Sequence, residues 1–402
     1  MITRRSFLQA SMMSMTAVAG QATIPQWFVR AASQESKKNK ILVAVFQRGA
    51  ADGLNMVVPF FEKRYYELRP SLAVQAPGRQ NGAIDLDGRF GLHPALQTLK
   101  PFWDSGQLAI VEAAGSHDPT RSHFDAQEFM ESGTPGLKDT EDGWLNRALT
   151  PIGPDASPVR AISVGSQLPR ALKGSRGGVA VNNLQQFQFG NRDTAGILES
   201  MYTTTADSRL HEAGKRTFES VRMIESINRR PYTPANGAQY VGNFGRGLQQ
   251  VARLIKADAG VEVAFADIGG WDHHSNEAGQ LNNVLREFGS SIAAFVRDMG
   301  DRMQDIVLVT MSEFGRTVKE NGNAGTDHGH GDVMFVLGAP VKGRSIYGRW
   351  PGLEPEQLFE QRDLAVTTDF RDVLGELVRG HLGLSGEQVF PGHTPGQPLG
   401  LL

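Results

Sequence analysis

The chain contains no cysteine. Disulfides, iron–sulfur clusters and thiolate metal sites are therefore excluded, and any metal must be held by His, Asp or Glu. An excess of positive charge is also missing. The formal charge is −2, so no global basic surface marks a nucleic-acid partner. No apolar stretch near the N-terminus reaches the roughly 20 residues needed to span a bilayer, which speaks against a stable membrane anchor. No His-Glu-x-x-His helix is present, which counts against zincin metalloproteases and related amidases. Internal repeats, heptad arrays and low-complexity tracts are absent too. What remains is ordinary globular composition, 40% hydrophobic and 21% charged over 402 residues. That is enough for one large α/β domain or two smaller ones.

Residues 1–32 have a character of their own. "TRRSFLQ", Thr3 to Gln9, is a paired arginine followed by Phe-Leu, and it leads into the short apolar "ASMMSMTAVAG". This resembles a twin-arginine export signal, with Gln9 where lysine is common. Cleavage after Ala19 or after Ala32 fits equally. The expected address is periplasmic or extracellular, with the twin-arginine translocase as a partner during export. That route carries folded proteins, which suits a cofactor loaded beforehand.

From residue 38 to 400 the chain reads as a single domain. Apolar runs predict strands at Ile41–Phe46, Leu108–Ala114, Val261–Asp267, Ile306–Met311 and Val333–Gly338. Leu281, Leu285, Phe288, Ile292, Phe295 and Met299 recur at helical spacing, and Phe370, Val373, Leu374 and Leu377 do so after the N-cap candidate Asp369. Strands alternating with amphipathic helices predict an α/β fold with a largely parallel central sheet covered on both faces. Residues from about 150 to 240 read as an insertion or cap built on that sheet.

Ligand-type residues gather after the strands. Asp52 lies in "QRGAADGLN" and Ser122 in "GSHDPTRSHFDAQEF", beside Arg121, His123 and Asp125. "DIGGWDHHSNE" carries Asp272, His273 and His274, and "SEFGRT" carries Glu313 and Arg316. The glycine-rich "NGNAGTDHGHGD" holds Asp327, His328 and His330 and returns to the same edge. Six of the ten histidines fall in these segments, where random placement would scatter them. Open α/β sheets bind ligands along the edge formed by the C-terminal ends of their strands. Each motif also has a plainer reading. Asp52-Gly53 is a turn signal, Ser122 an N-cap, Asp272–His274 a structural pair, and Arg316 a salt-bridge partner of Glu313. Together, Asp52, Asp272, His274, Glu313, Asp327, His328 and His330 are too many carboxylates and imidazoles to leave uncompensated in one cleft. One or two divalent cations resolve this, and a mixed oxygen and nitrogen shell favours zinc, manganese or iron over calcium.

These motifs, in this order behind the paired arginine, resemble the bacterial family called domain of unknown function 1501. That family is similar in turn to the alkaline-phosphatase-like superfamily of phosphatases, sulfatases and cofactor-independent phosphoglycerate mutases. The resemblance implies an alkaline-phosphatase-like fold. It implies Asp52 as the opening metal carboxylate and Ser122 as nucleophile. Asp272 and His274 would be the mid-chain ligands, and His328 or His330 the last. Two departures are visible. Glu313-Phe314 stands where Asp-His is usual, and an Asp-His pair appears instead at 327–328. "HDPTR" puts His117 where a sulfatase requires Cys or Ser.

Two functions follow as expectations. One is an exported metal-dependent hydrolase of phosphate or sulfate esters, taking an anionic small-molecule or envelope substrate. Ser122 would attack, zinc or manganese would assist, and Arg121 or Arg316 would hold an ester oxygen. The other is a non-catalytic metal-containing scaffold or binding protein of the cell envelope.

Overall fold

A computed structural model describes residues 40–153, 156–189 and 192–402. Residues 1–32, the expected export signal, lie outside them. Twelve strands follow one another among the described residues: β1 (Ile41–Gln47), β2 (Val57–Val58), β3 (Ile84–Asp85), β4 (Gly91–Leu92), β5 (Leu108–Gly115), β6 (Ala161–Val164), β7 (Val179–Val181), β8 (Val263–Ile268), β9 (Ile306–Ser312), β10 (Asp332–Leu337), β11 (Ser345–Tyr347) and β12 (Thr368–Asp369). Nine of them form the main sheet, in the order β11-β5-β10-β9-β1-β8-β6-β7, with β12 paired to β5. The other three make a small antiparallel sheet.

The longer helices are α1 (Lys63–Leu68), α2 (His123–Ser132), α3 (Arg192–Thr204), α4 (Ser208–Asn228), α5 (Gly242–Lys256), α6 (Glu277–Met299) and α7 (Phe370–Leu377). Asp369 caps α7 by accepting a hydrogen bond from the Arg371 N–H. Residues 150–240 contribute β6 and β7 to the sheet itself and then the helical hairpin α3–α4.

Strand alternation splits the core in two. Val43, Val45, Ile306 and Leu308 face one apolar cluster with α5 and α6, where Phe288, Ile292 and Phe295 are fully buried. Leu42, Ala44, Phe46, Val307 and Val309 face the other, with Phe370, Val373 and Leu374 of α7. Both faces are therefore covered, which is why these strands read as unbroken apolar runs.

The sheet is mostly parallel, with one reversal. β1, β8 and β9 run parallel, as do β6, β7, β11 and β12 with their partners, whereas β10 is antiparallel to both β5 and β9. The reversal sets the position of the glycine-rich loop. Chain leaving the C-terminal end of β9 at Glu313 re-enters at Asp332, which is paired with Ala114 near the C-terminal end of β5. The whole excursion from Glu313 to Gly331 thus stays at the edge where β1, β5 and β8 end.

A candidate metal centre at the sheet edge

The excursion folds back on itself. Arg316 and His328 form an antiparallel bridge, Gly329 N–H donates to the Gly315 carbonyl at 2.8 Å, and Thr317 N–H donates to the Asp327 carbonyl at 2.9 Å. Close backbone approach explains two of the glycines, Gly325 and Gly329. A Cβ on Gly329 would stand 2.3 Å from the Arg316 carbonyl carbon, and one on Gly325 would stand 2.4 Å from that of His274. Any larger residue would push the loop off its neighbours. The loop is tied to α6 as well, by N–H groups of Asn276 and Glu277 bonded to the carbonyls of Asn323 and Ala324.

Four side chains meet where these segments converge. His123, at the first turn of α2, brings Nε2 to 3.0 Å from Nε2 of His328. His274, from the β8 loop, brings its own Nε2 to 3.0 Å from the same atom. Oδ1 of Asp272 lies 2.9 Å from Nε2 of His274 and 3.2 Å from Nε2 of His328, and its Oδ2 lies 3.6 Å from Nε2 of His123. His123, Asp272 and His328 bring three such donor atoms within 4.8 Å of one another.

What surrounds the rings fixes their tautomers. Nδ1 of His123 lies 2.8 Å from Oε1 of Glu313, Nδ1 of His274 lies 2.9 Å from Oδ1 of Asp327, and Nδ1 of His328 lies 2.9 Å from the Arg121 carbonyl. All three neighbours only accept, so each Nδ1 carries the proton and donates it. Each neutral ring then turns an Nε2 lone pair toward the other lone pairs and the Asp272 carboxylate. Such an arrangement is repulsive without a cation in its midst. Protons on two of the rings would relieve part of it; one divalent ion relieves all of it. An ion bonded at about 2.0–2.2 Å keeps its ligands roughly 3.3 Å apart, close to the spacings found here. Buttressing of imidazoles by carboxylates and a carbonyl is the usual second layer of a histidine metal site.

The neighbouring charges are arranged accordingly. Burial alone would raise the Glu313 carboxyl, but hydrogen bonds from His123, Gln127 and the Gly49 N–H hold it below the usual range. Burial likewise works against ionised Asp272, and the fully buried Arg316 outweighs it, donating through Nη1 at 2.7 Å. Asp327 is held low chiefly by the hydrogen bond from His274. The hydrogen bond to Glu313 raises His123, whereas burial lowers His328. Phe314 packs its ring against both, 5.1 Å from each centroid, and closes the inner side. The outer side is open. Asp272 and His274 have 45% and 46% of their side chains exposed.

The other sequence-derived candidates have other places. Asp52 is buried in a two-pronged ion pair with Arg69, just after α1, at 2.6 and 2.9 Å. The β1 loop reaches the centre through the Gly49 backbone instead. His330 is buried with its ring stacked on Phe359 at 4.1 Å. Glu313 and Asp327 stand one layer out, each holding an imidazole. Arg121 turns its guanidinium to Asp363 and Glu360 and offers only its carbonyl to His328. Ser122 is exposed at the N-cap of α2, between that carbonyl and His123, and its hydroxyl makes no capping bond. Sequence reasoning gave His123 no role, although the histidine clustering included it.

The profile of the family described as "Protein of unknown function (DUF1501)" matches residues 39–390, and the chain belongs to that family. No curated protein matches. Several solved structures are similar at low identity. The C-terminal periplasmic domain of EcEptC from Escherichia coli is 12% identical, with 91% of this chain and 90% of that one covered and a TM-score of 0.40. Alkaline phosphatase from the Antarctic bacterium TAB5 is 11% identical, with coverage of 77% and 95% and a TM-score of 0.35. The lipoteichoic acid synthase LtaP from Listeria monocytogenes is 8% identical, with coverage of 94% and 80% and a TM-score of 0.36. Among the described residues, no helix is long and apolar enough to cross a membrane.

Proposed function

We propose that this member of the family is a metal-dependent hydrolase of phosphate or sulfate esters, with a single divalent ion. The observation that carries the reading is the convergence of three Nε2 atoms and one carboxylate, with every Nδ1 committed to an acceptor. His123, His274, His328 and Asp272 would hold the ion, and this nitrogen-rich shell suits zinc, with manganese second. One ion rather than two is expected. Asp52, the carboxylate expected to open a second site, is already neutralised by Arg69.

When bound, such an ion supplies Lewis acidity at an ester oxygen. The chain's own groups do the rest. Arg316 keeps Asp272 ionised and in place. Glu313 and Asp327 hold His123 and His274 in the ligating tautomer. Ser122, exposed at the α2 N-cap and next in sequence to His123, has a hydroxyl uncommitted to the helix cap, and a helix N-terminus favours an anion. Ser122 is the candidate nucleophile, or the anchor that positions the ester. The substrate is anionic on this reading, and export through the twin-arginine route fits residues 1–32.

The test is hydrolysis of aryl phosphates and aryl sulfates with zinc or manganese by the wild-type chain and Ser122→Ala. Loss of turnover in the variant supports the serine role; equal turnover removes it. A second reading has one observation in its favour. Four protein donors resemble a closed structural site more than an open catalytic one. Stoichiometric metal without turnover across the ester panel would select that metal-containing scaffold.

A further inference from the structure

Behind the centre, a buried chain of hydrogen bonds leads from Asp272 to the first turn of α6. Arg316 donates to Asp272 through Nη1 at 2.7 Å and to the Thr326 hydroxyl through Nε at 3.1 Å. That hydroxyl donates in turn to Oε2 of Glu277 at 2.6 Å. Thr326 has one proton to give, so giving it to Glu277 turns its lone pairs toward Arg316. Glu277 is 0% exposed, and its Oε1 has no conventional donor. Burial and the nearby Asp52 charge push its carboxyl up to about 9. A neutral Glu277 also leaves the buried guanidiniums each with one carboxylate, Arg69 with Asp52 and Arg316 with Asp272.

We propose that Glu277 is a positioning residue for the metal centre, acting through Thr326 and Arg316 on Asp272. The proposal rests on the metal reading given above. Nothing in the helical role of Glu277 requires a buried carboxyl at this point. An apolar residue would fill the same space without holding the Thr326 hydroxyl, and Arg316 would then be aimed from that side only by the Thr326 carbonyl, which accepts from Nη2.

The experiment is zinc affinity of the full chain, by competition with a chromogenic chelator. Wild type is compared with Glu277→Gln, Glu277→Ala, Thr326→Val and the double variant Glu277→Ala/Thr326→Val. Gln keeps an acceptor for Thr326 and, like the protonated carboxyl, carries no charge, so Glu277→Gln should bind close to wild type. Glu277→Ala and Thr326→Val should each weaken binding about tenfold or more, the range of an outer-layer change. The double variant should be little worse than either, because both cut one chain. If Glu277→Ala fails to fold, Thr326→Val still decides. Wild-type affinity in Thr326→Val or in folded Glu277→Ala overturns the positioning role and leaves the metal reading intact. A wild-type chain that binds no zinc overturns both.

Discussion

Nε2 of His123 stands 3.0 Å from Nε2 of His328, and in both rings Nδ1 is already committed to an oxygen acceptor. Two neutral imidazoles so placed face each other lone pair to lone pair. A shared cation is the simplest resolution, and on the proposed reading His274 and Asp272 would complete its shell.

Removing a ring should therefore remove the ion. His123→Ala, His274→Ala and His328→Ala should each weaken zinc binding by more than the roughly 10–100-fold expected of an outer-layer change. His330→Ala should leave the affinity unchanged, because that ring stacks on Phe359 instead. Isothermal titration of the four variants checks this. Equal losses in all four would show that the loop as a whole, not the three rings, matters.

The carboxylates behind the rings should have smaller effects. Glu313→Gln and Asp327→Asn keep the size of the side chain but weaken the grip on Nδ1 of His123 and His274. Zinc affinity is expected to fall about 10–100-fold in each. Full loss of the ion would make them direct ligands.

Asp52→Asn should act on stability, not on metal content. Breaking one side of a buried ion pair leaves the other charge uncompensated, at about 3–5 kcal/mol. Denaturant unfolding should show that loss while the variant retains its metal. Loss of one equivalent of metal would instead restore Asp52 as a ligand.

Glu277 also predicts a pH dependence. Burial and the nearby Asp52 charge push its carboxyl up to about 9, from an ordinary value of 4.5. Between those values the folded chain holds a proton that the unfolded chain has released, so stability falls as pH rises through the window. Burial pushes Asp332 and Glu112 well up too, and they act in the same direction. From about pH 7 to about pH 9, above the range where the buried histidines act in the opposite sense, the denaturation midpoint of wild type should decline, and the decline should be shallower in Glu277→Gln. Identical slopes would contradict the buried proton.

Much of the framework was legible because strand burial leaves a simple signal. The five apolar runs are strands, and Leu281 to Met299 lies on one helix, since period 2 and period 3.6 are written locally. β10 running antiparallel was not legible, because direction depends on what lies across the sheet rather than on the run itself. At the site, Asp272, His274 and His328 come together as a ligand set would, and their glycine-rich settings signal close backbone passage. The Asp52–Arg69 pair joins residues whose pairing no local pattern marks. His123 was masked by its neighbour, since Ser122 before a helix reads first as a cap.

Metal analysis of the full chain purified without chelators tests the central claim most directly, with His328→Ala alongside. One divalent ion per wild-type chain, lost in the variant, is the predicted result. No ion in the wild-type chain, or an ion retained undiminished without His328, would contradict it.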